Sequence, residues 1–303
     1  MTESIRKYAK IGLVHFMAFP ETIKGEGPIE ETVRKIALDD YFDAIEVTWA
    51  KDQGVRDRMK KILNSSHLSV AYGGQPRLLT TGMNINDIDE TKRQEAVANL
   101  KEGIDEAYEI GAEGFGFLSG HYTEDKKEEA YQALIKSTKE ICAYAKSKGN
   151  ITIAHEVFDY DVDKCALIGP VALAKRYAEE ICAAHDNFGL LVDLSHVPII
   201  HETLRESLVP VKDYIVHAHM GNCVVKDKND PAYGDQHPRF GYPGGENDVA
   251  ELVEYLKILK EIGFLDPNNR RFLSFEVKPV GDEDHDIVIA NAKRTLNLAW
   301  ALV

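Results

Sequence analysis

The chain has 303 residues, 44% of them hydrophobic and 28% charged, with 50 acidic against 36 basic side chains and a net charge of −14. Such a composition fits a soluble globular protein with a large core, in one barrel-sized domain or two ordinary ones. It argues against a nucleic-acid surface, because only short basic clusters such as Lys60-Lys61 and Lys126-Lys127 interrupt the acidic field. No apolar run reaches the ~18–20 residues that span a bilayer. The first residues, MTESIRKYAK, contain no apolar signal region, so a cytoplasmic location is expected. Cys142, Cys165, Cys182 and Cys223 form no C-x-x-C pair, which speaks against a disulfide framework or a thiolate metal site.

In chain order, short apolar runs alternate with longer segments of helical period. Strands are predicted at 9–17, 42–49, 68–73, 112–118, 150–157, 188–194, 213–219 and 271–277. Their near-continuous apolar cores suit parallel strands buried on both faces. Helices are predicted near 30–39, 55–65, 88–110, 124–148, 168–186, 201–209, 248–263 and 285–302. Thr123 is a candidate N-cap for the helix that directly follows it, and Gly263 a candidate C-terminal stop. Eight alternations point to an α/β protein with a single (β/α)8 TIM-barrel domain over residues 1–303. A doubly wound open sheet would want a G-x-G-x-x-G turn after the first strand. The chain reads AFPETIKGEGP there instead.

In a barrel of this kind, chemistry gathers at the C-terminal ends of the strands. The last four predicted strands read ITIAHE, GLLVD, YIVHAH and RFLSFE. Glu156, Asp193 and Glu276 close three of them, and the fourth ends in two histidines, His217 and His219, that share a strand face. Three oxygen donors and an imidazole suit Mn²⁺, Mg²⁺ or Co²⁺ better than a structural zinc. Taken singly, each residue could be a strand-end cap or half of an ion pair. The longest connection, about 220–247, is rich in Gly, Pro, Asn and Asp and reads as an active-site loop. It carries Lys226, Lys228, His237 and Arg239, cations that could meet an anionic or hydroxylated substrate.

The segments FDAIEV, HEVFDYD, VDLSH, HAHMGN and FEVKP, in that order, resemble the xylose-isomerase-like TIM barrels, the sugar isomerase/epimerase superfamily. The resemblance covers nearly the whole chain. It implies a divalent metal, Mn²⁺ first, held by Glu156, Asp193, His219 and Glu276, and it selects His219 over His217. It further implies an isomerase or epimerase that moves a proton through an enediolate, with Glu156 and Glu276 as both ligands and proton carriers. Ketose 3-epimerases add a substrate-contacting His three residues after the Asp ligand, here His196. They also carry an Arg six residues after the His ligand, where this chain has Val225 and so departs from that pattern.

His155-Glu156 and the FDYDVDKCALIGP stretch are similar to catalytic subunits of C-glycoside deglycosidases. That similarity implies a carbon–carbon lyase acting on a 3-keto sugar conjugate with a small partner subunit, and a proton-transfer role for His155. Strand alternation opposes this role, since His155 should face away if Glu156 faces inward. The related abasic-site endonucleases need further histidines on strands two and three. Here those strands end in Thr48-Trp49 and Tyr72-Gly73-Gly74. A barrel that only binds a sugar, without turnover, is the remaining alternative.

Other expected site residues lie near the same mouth. His196, Arg239, Lys226, His121, Trp49 and Lys278 are candidate substrate contacts, and His15 a further pocket wall. Glu46 is expected as a buried structural acid, Cys142 and Cys182 as buried small hydrophobes, and Cys223, just past His219, is near the site with no sequence rule that gives it a chemical role. A sugar is the expected small-molecule substrate, with a homo-oligomer or the small partner subunit as possible assemblies.

Overall fold

The structure is a computed structural model that describes residues 3–303. Eight strands form one sheet: β1 (Ala9–Leu13), β2 (Ala44–Val47), β3 (Ser69–Gly73), β4 (Gly114–Leu118), β5 (Thr152–Glu156), β6 (Phe188–Asp193), β7 (Ile215–Met220) and β8 (Arg271–Phe275). They run in the order β1-β8-β7-β6-β5-β4-β3-β2, and each neighbouring pair is parallel. The seam between β1 and β2 is closed more lightly. The Asp43 amide donates to Ile11 O at 2.8 Å, and Val14 bridges to Glu46. The result is the expected (β/α)8 barrel.

The helices are α1 (His15–Ala18), α2 (Ile29–Leu38), α3 (Gln53–Ser66), α4 (Gln75–Leu79), α5 (Glu90–Glu109), α6 (Lys127–Lys148), α7 (Val171–Cys182), α8 (His196–Ile199), α9 (Leu204–Leu208), α10 (Val249–Glu261) and α11 (His285–Ala301). The longer ones sheathe the barrel and bury one face, as Leu252, Tyr255, Leu256 and Leu259 do on α10. Paired N-terminal hydrogen bonds start α9 (Thr203 with Glu206) and α10 (Asp248 with Glu251). Gly263, at φ +77°, follows the end of α10 as expected of a C-terminal stop.

Three boundaries differ from expectation, each for a local reason. The first strand stops at Leu13, and α1 begins at His15, with Ala18 N donating to Val14 O at 3.1 Å. A short apolar run such as VHFMAF has no periodicity that separates strand from buried helix. Thr123 makes no side-chain cap; it precedes a 3₁₀ turn, Glu124–Lys126, that leads into α6. The helix expected at 168–186 is confined to α7, because Pro170 sits in extended backbone at its start.

The short helices α1, α4 and α8 directly follow β1, β3 and β6, so they lie on the rim where strands hand over to loops. The opposite end of the barrel interior is filled by Ala44, Ala71 and Phe272. There, a Cβ on Gly12 would meet the Ser274 hydroxyl at 2.4 Å, so β1 needs glycine to pass β8. The barrel is therefore plugged from below and open only at the rim.

Candidate metal centre and active site

Alternation along the strands decides which side chains face the barrel axis. On β7, His217 and His219 point inward together, and register places His219 beside Asp193 of β6 and Ser274 of β8. Glu156 is the last residue of β5, and Glu276 lies just past β8 with its amide donating to Met220 O at 3.0 Å. One ligand atom from each of Glu156, Asp193, His219 and Glu276 falls within a common 4.8 Å span, and all four residues are buried.

Three of these groups, Glu156, Asp193 and His219, are tied on one side and free on the other. Glu156 Oε2 accepts from Gln75 Nε2 at 2.7 Å, and Asp193 Oδ1 accepts from the Ser195 amide at 2.6 Å. His219 Nε2 lies 3.2 and 3.3 Å from the Glu46 oxygens. The remaining atoms, Glu156 Oε1, Asp193 Oδ2, His219 Nδ1 and Glu276 Oε2, are buried and make no hydrogen bond. His219 Nδ1 is 2.6 Å from Glu276 Oε2, 3.5 Å from Glu156 Oε1 and 3.8 Å from Asp193 Oδ2. Buried acids left like this are costly unless a cation satisfies them. These residues can hold a divalent cation.

Electrostatics follow the same layout. Burial raises the Asp193 pKa, with Glu276 adding to the effect. His219 is held well above the ordinary imidazole range: burial opposes the charge, but Glu46 and Glu276 outweigh it. Burial also works against ionised Glu46, yet His217 and His219 keep its pKa below the usual carboxylate range. Glu46 takes His217 Nε2 at 2.7 Å, and the His217 ring stacks on Phe272. With Nε2–H directed at Glu46, Nδ1 is the nitrogen left facing the three carboxylates, where a bound cation would take its lone pair in place of the proton. Glu46 pairs with both His217 and His219 inside the barrel.

Two other groups bring ligand-type atoms together, Glu46–His217–His219 and Asp193–His196–His237. Their atoms are largely paired. His196 sets Nδ1 against Val157 O at 2.7 Å and Nε2 against Asp235 Oδ1 at 2.9 Å. His237 Nε2 reaches the same Asp235 oxygen at 2.7 Å, and Lys164 Nζ holds Oδ2 at 2.9 Å. Among the described residues, only the four-residue group combines four converging atoms with no hydrogen bond on any of them.

Above the four lies a cavity of about 300 Å³. One wall is apolar, with Phe16, Met17, Pro20 and Ile23 from the segment after β1, Pro76 and Leu79 from α4, and Phe158. The other is polar, with Lys164, Asp235, Gln236, His237 and Lys278 beside the ligand set. Room for Gln75 comes from β4: a Cβ on Gly116 would stand 2.9 Å from Gln75 Nε2. Asp235, Gln236 and His237 arrive on the long loop after β7. Asn222 pins that loop, its Oδ1 accepting from Asn247 N at 2.7 Å and its Nδ2 donating to Arg239 O at 3.0 Å. Burial disfavours charge on His237, but Glu276 and Asp235 raise its pKa to about 9. Its backbone sits at φ +50°, unusual for a residue with a Cβ.

The expected substrate contacts divide. Lys278 lines the cavity, its Nζ donating to Gln236 Oε1 at 2.6 Å, with its pKa pushed down by burial and by Lys164. His196 is buried beside Asp193 and Asp235, behind the cavity wall. Lys226 turns to solvent and pairs with Glu246 at 2.9 Å. Arg239 bridges to Glu283 at 2.8 Å and leans over Tyr242, away from the cavity. Trp49 packs beneath Gly25 and donates to Ile23 O at 3.0 Å. His121 is exposed at a neighbouring recess. His15 is buried against Thr32 at 2.7 Å.

His155 is a correction. It faces the helix layer, between the rings of Phe117 (4.9 Å) and Tyr177 (4.8 Å), with neither nitrogen hydrogen-bonded. Burial lowers its pKa to about 3. The cause is the alternation that turns Glu156 inward. Cys223 is buried and its thiol pKa is raised by burial, which leaves it unreactive. Gln75 and Asp235 were missed by sequence reasoning. Gln75 sits on a rim helix too short for periodicity to reveal, and Asp235 inside a loop with no period at all.

Among solved structures, the chain is similar to a D-tagatose 3-epimerase-like protein (19% identity, TM-score 0.73, covering 97% of this chain and 98% of that one). It is similar to a D-psicose 3-epimerase from Clostridium cellulolyticum H10 (15%, 0.70, 96% and 98%). A 3-keto-D-glucoside 4-epimerase from E. coli also matches (17%, 0.66, 97% and 99%). At these identities the likeness concerns the fold. Among curated protein sequences, none matches. The profile of the xylose isomerase-like TIM barrel matches residues 35–293, most of the chain, and the chain belongs to that family.

Proposed function

We propose that the protein is a divalent-metal-dependent isomerase or epimerase acting on a sugar or sugar derivative. The observation that carries this reading is the convergence of four unpartnered ligand atoms, from Glu156, Asp193, His219 and Glu276, of which Glu156, His219 and Glu276 line the cavity. Three carboxylates with one imidazole favour Mn²⁺, with Mg²⁺ and Co²⁺ as alternatives. When bound, the cation would act as a Lewis acid that stabilises negative charge on a sugar oxygen beside the reacting carbon.

The chain's own groups supply the rest. Glu156 and Glu276 approach from β5 and β8, three strands apart around the barrel. One takes the proton from the carbon beside the carbonyl, and the other returns it, so that the substrate passes through an enediolate. Gln75 fixes the orientation of Glu156 through its 2.7 Å hydrogen bond. His237, with Nε2 on Asp235 and 3.6 Å from Glu276 Oε1, carries positive charge beside that carboxylate at neutral pH. Lys278 and Gln236 present donors and an acceptor to hydroxyl groups, while the apolar wall excludes water.

Two features turn the reading away from free ketoses and from the lyase. Val225 stands where the ketose 3-epimerases carry an Arg. The lyase alternative gave proton transfer to His155, which lies on the wrong face of β5. Solvent-deuterium incorporation tests the proposal: the Mn²⁺-loaded protein is incubated in D₂O with free and 3-keto sugars and followed by NMR. Exchange at a carbon beside a carbonyl, lost in Glu276→Gln, is the expected result. Metal-loaded protein that leaves every C–H signal intact contradicts it.

A further inference from the structure

The central cavity does not end at its polar wall. Leu79 and Lys164 also line a second recess of about 120 Å³, between α4 and the end of β4. Asn84 and His121 belong both to that recess and to a third, of about 220 Å³, that opens beside Tyr122 and Thr123. The three spaces therefore adjoin in a row, from the cavity over the metal ligands past the ends of β3 and β4 to the surface, and are called the groove below.

The groove is held by specific bonds. Asn86, 1% exposed, accepts from the Gly120 amide at 2.6 Å and donates to His121 O at 3.0 Å. Asn84 Nδ2 donates to the same His121 O at 2.9 Å. Gly120 is required for that approach, since a Cβ there would stand 2.3 Å from Asn84 Oδ1. Ser119 Oγ accepts from Ile168 N at 2.9 Å, and Lys164 is fastened by Asp235 and Asp163. Two asparagines therefore clamp the floor in place before any ligand arrives.

Leu78, Leu79, Met83 and Leu118 give the middle recess apolar sides. The outer recess is also largely apolar, with Ile88 and Ala130, and sets the polar side chains of Asn84, His121 and Thr123 among them. The Tyr122 ring stands beside these, with Lys127 Nζ 4.9 Å from its centroid. Apolar surface interleaved with hydroxyl-binding side chains beside an aromatic ring suits a second sugar ring, which has apolar faces and a hydroxyl rim, rather than a phosphate or a long alkyl chain. We infer that the groove over β3 and β4 is a distal subsite, and that the substrate is a disaccharide-type glycoside whose second ring lies against His121, Tyr122 and Thr123. The inference rests on the proposed sugar chemistry at the metal centre.

Saturation-transfer NMR on the Mg²⁺-loaded protein with cellobiose, maltose and their C3-oxidised forms reads the subsite without requiring turnover. The expected result is saturation of both rings of at least one disaccharide. In Thr123→Trp, which fills the outer recess, contacts to the second ring disappear and affinity falls at least tenfold, with metal stoichiometry and circular dichroism unchanged. His121→Ala weakens the same contacts to a smaller degree. Saturation confined to one ring, absence of binding by every disaccharide, or a Thr123→Trp protein that binds like the unmodified one overturns the subsite. Exchange on simple hexuloses without disaccharide binding leaves the metal-centre chemistry standing and removes the subsite. Binding through both rings with no C–H exchange on any sugar does the reverse.

Discussion

Strands β5 to β8 end on Glu156, Asp193, His219 and Glu276, whereas β1 to β4 bring to the same mouth Glu46, Gln75 and a rim of Phe16, Met17, Pro76 and Leu79. The β5–β8 half concentrates buried charge at one point. The β1–β4 half contributes one carboxylate, set against His219, and one amide, set against Glu156. The contrast separates two tasks. On the proposed function, the charged half would hold a cation and move a proton, and the apolar half would shape the space in which a substrate lies. Glycines make this possible, since Gly73 and Gly116 leave the volume that Phe16 and Gln75 occupy.

Substitutions sharpen the contrast in order of size. Glu276→Gln and Glu156→Gln should each lower the exchange rate by about 10²–10⁴-fold, measured by deuterium incorporation, if the charged half carries proton transfer. Chelation of the metal should lower thermal stability by about 3–4 kcal/mol when the ion had been present at ~100–1,000 times its Kd, read as a fall of several degrees in Tm. Glu46→Gln should weaken metal binding by about 10–100-fold in calorimetry while leaving the four ligands in place. The same loss from Leu79→Ala would erase the distinction between the halves.

The helix-facing histidines give a pH test. His15 and His155 titrate near 3 in the fold because of burial, against an ordinary value of 6.5. Between these values the unfolded chain binds more protons than the folded one, so stability is unaffected above pH 6.5 and falls as the pH drops through that window. His155→Leu should reduce the slope of this acid limb by about 1.4 kcal/mol per pH unit and leave C–H exchange intact. The smallest effect is expected at the surface. Lys226→Ala breaks an exposed pair with Glu246 and should change stability and exchange by less than ~0.5 kcal/mol.

Much of this arrangement is legible in the sequence because period and strand-end chemistry are local signals. The apolar runs of two-sided buried strands mark β1 to β8, and acids or imidazoles at their ends mark the proposed ligands. Alternation alone places His155 opposite to Glu156. Other features depend on tertiary placement. Gln75 becomes a partner of Glu156 only because α4 folds over Gly116, and Asp235 joins His196, His237 and Lys164 only because Asn222 and Asn247 fold the long loop back. Arg239 and Lys226 had the right charge for a substrate contact, yet Glu283 and Glu246 draw them outward.

Metal stoichiometry tests the central claim most directly. Protein dialysed against Mn²⁺ and then freed of excess ion should retain one equivalent per chain by elemental analysis. Asp193→Asn and His219→Ala should retain far less while keeping the fold. Full-strength Mn²⁺ binding by both variants, or none by the unmodified protein, would show that the four converging atoms are not a metal centre.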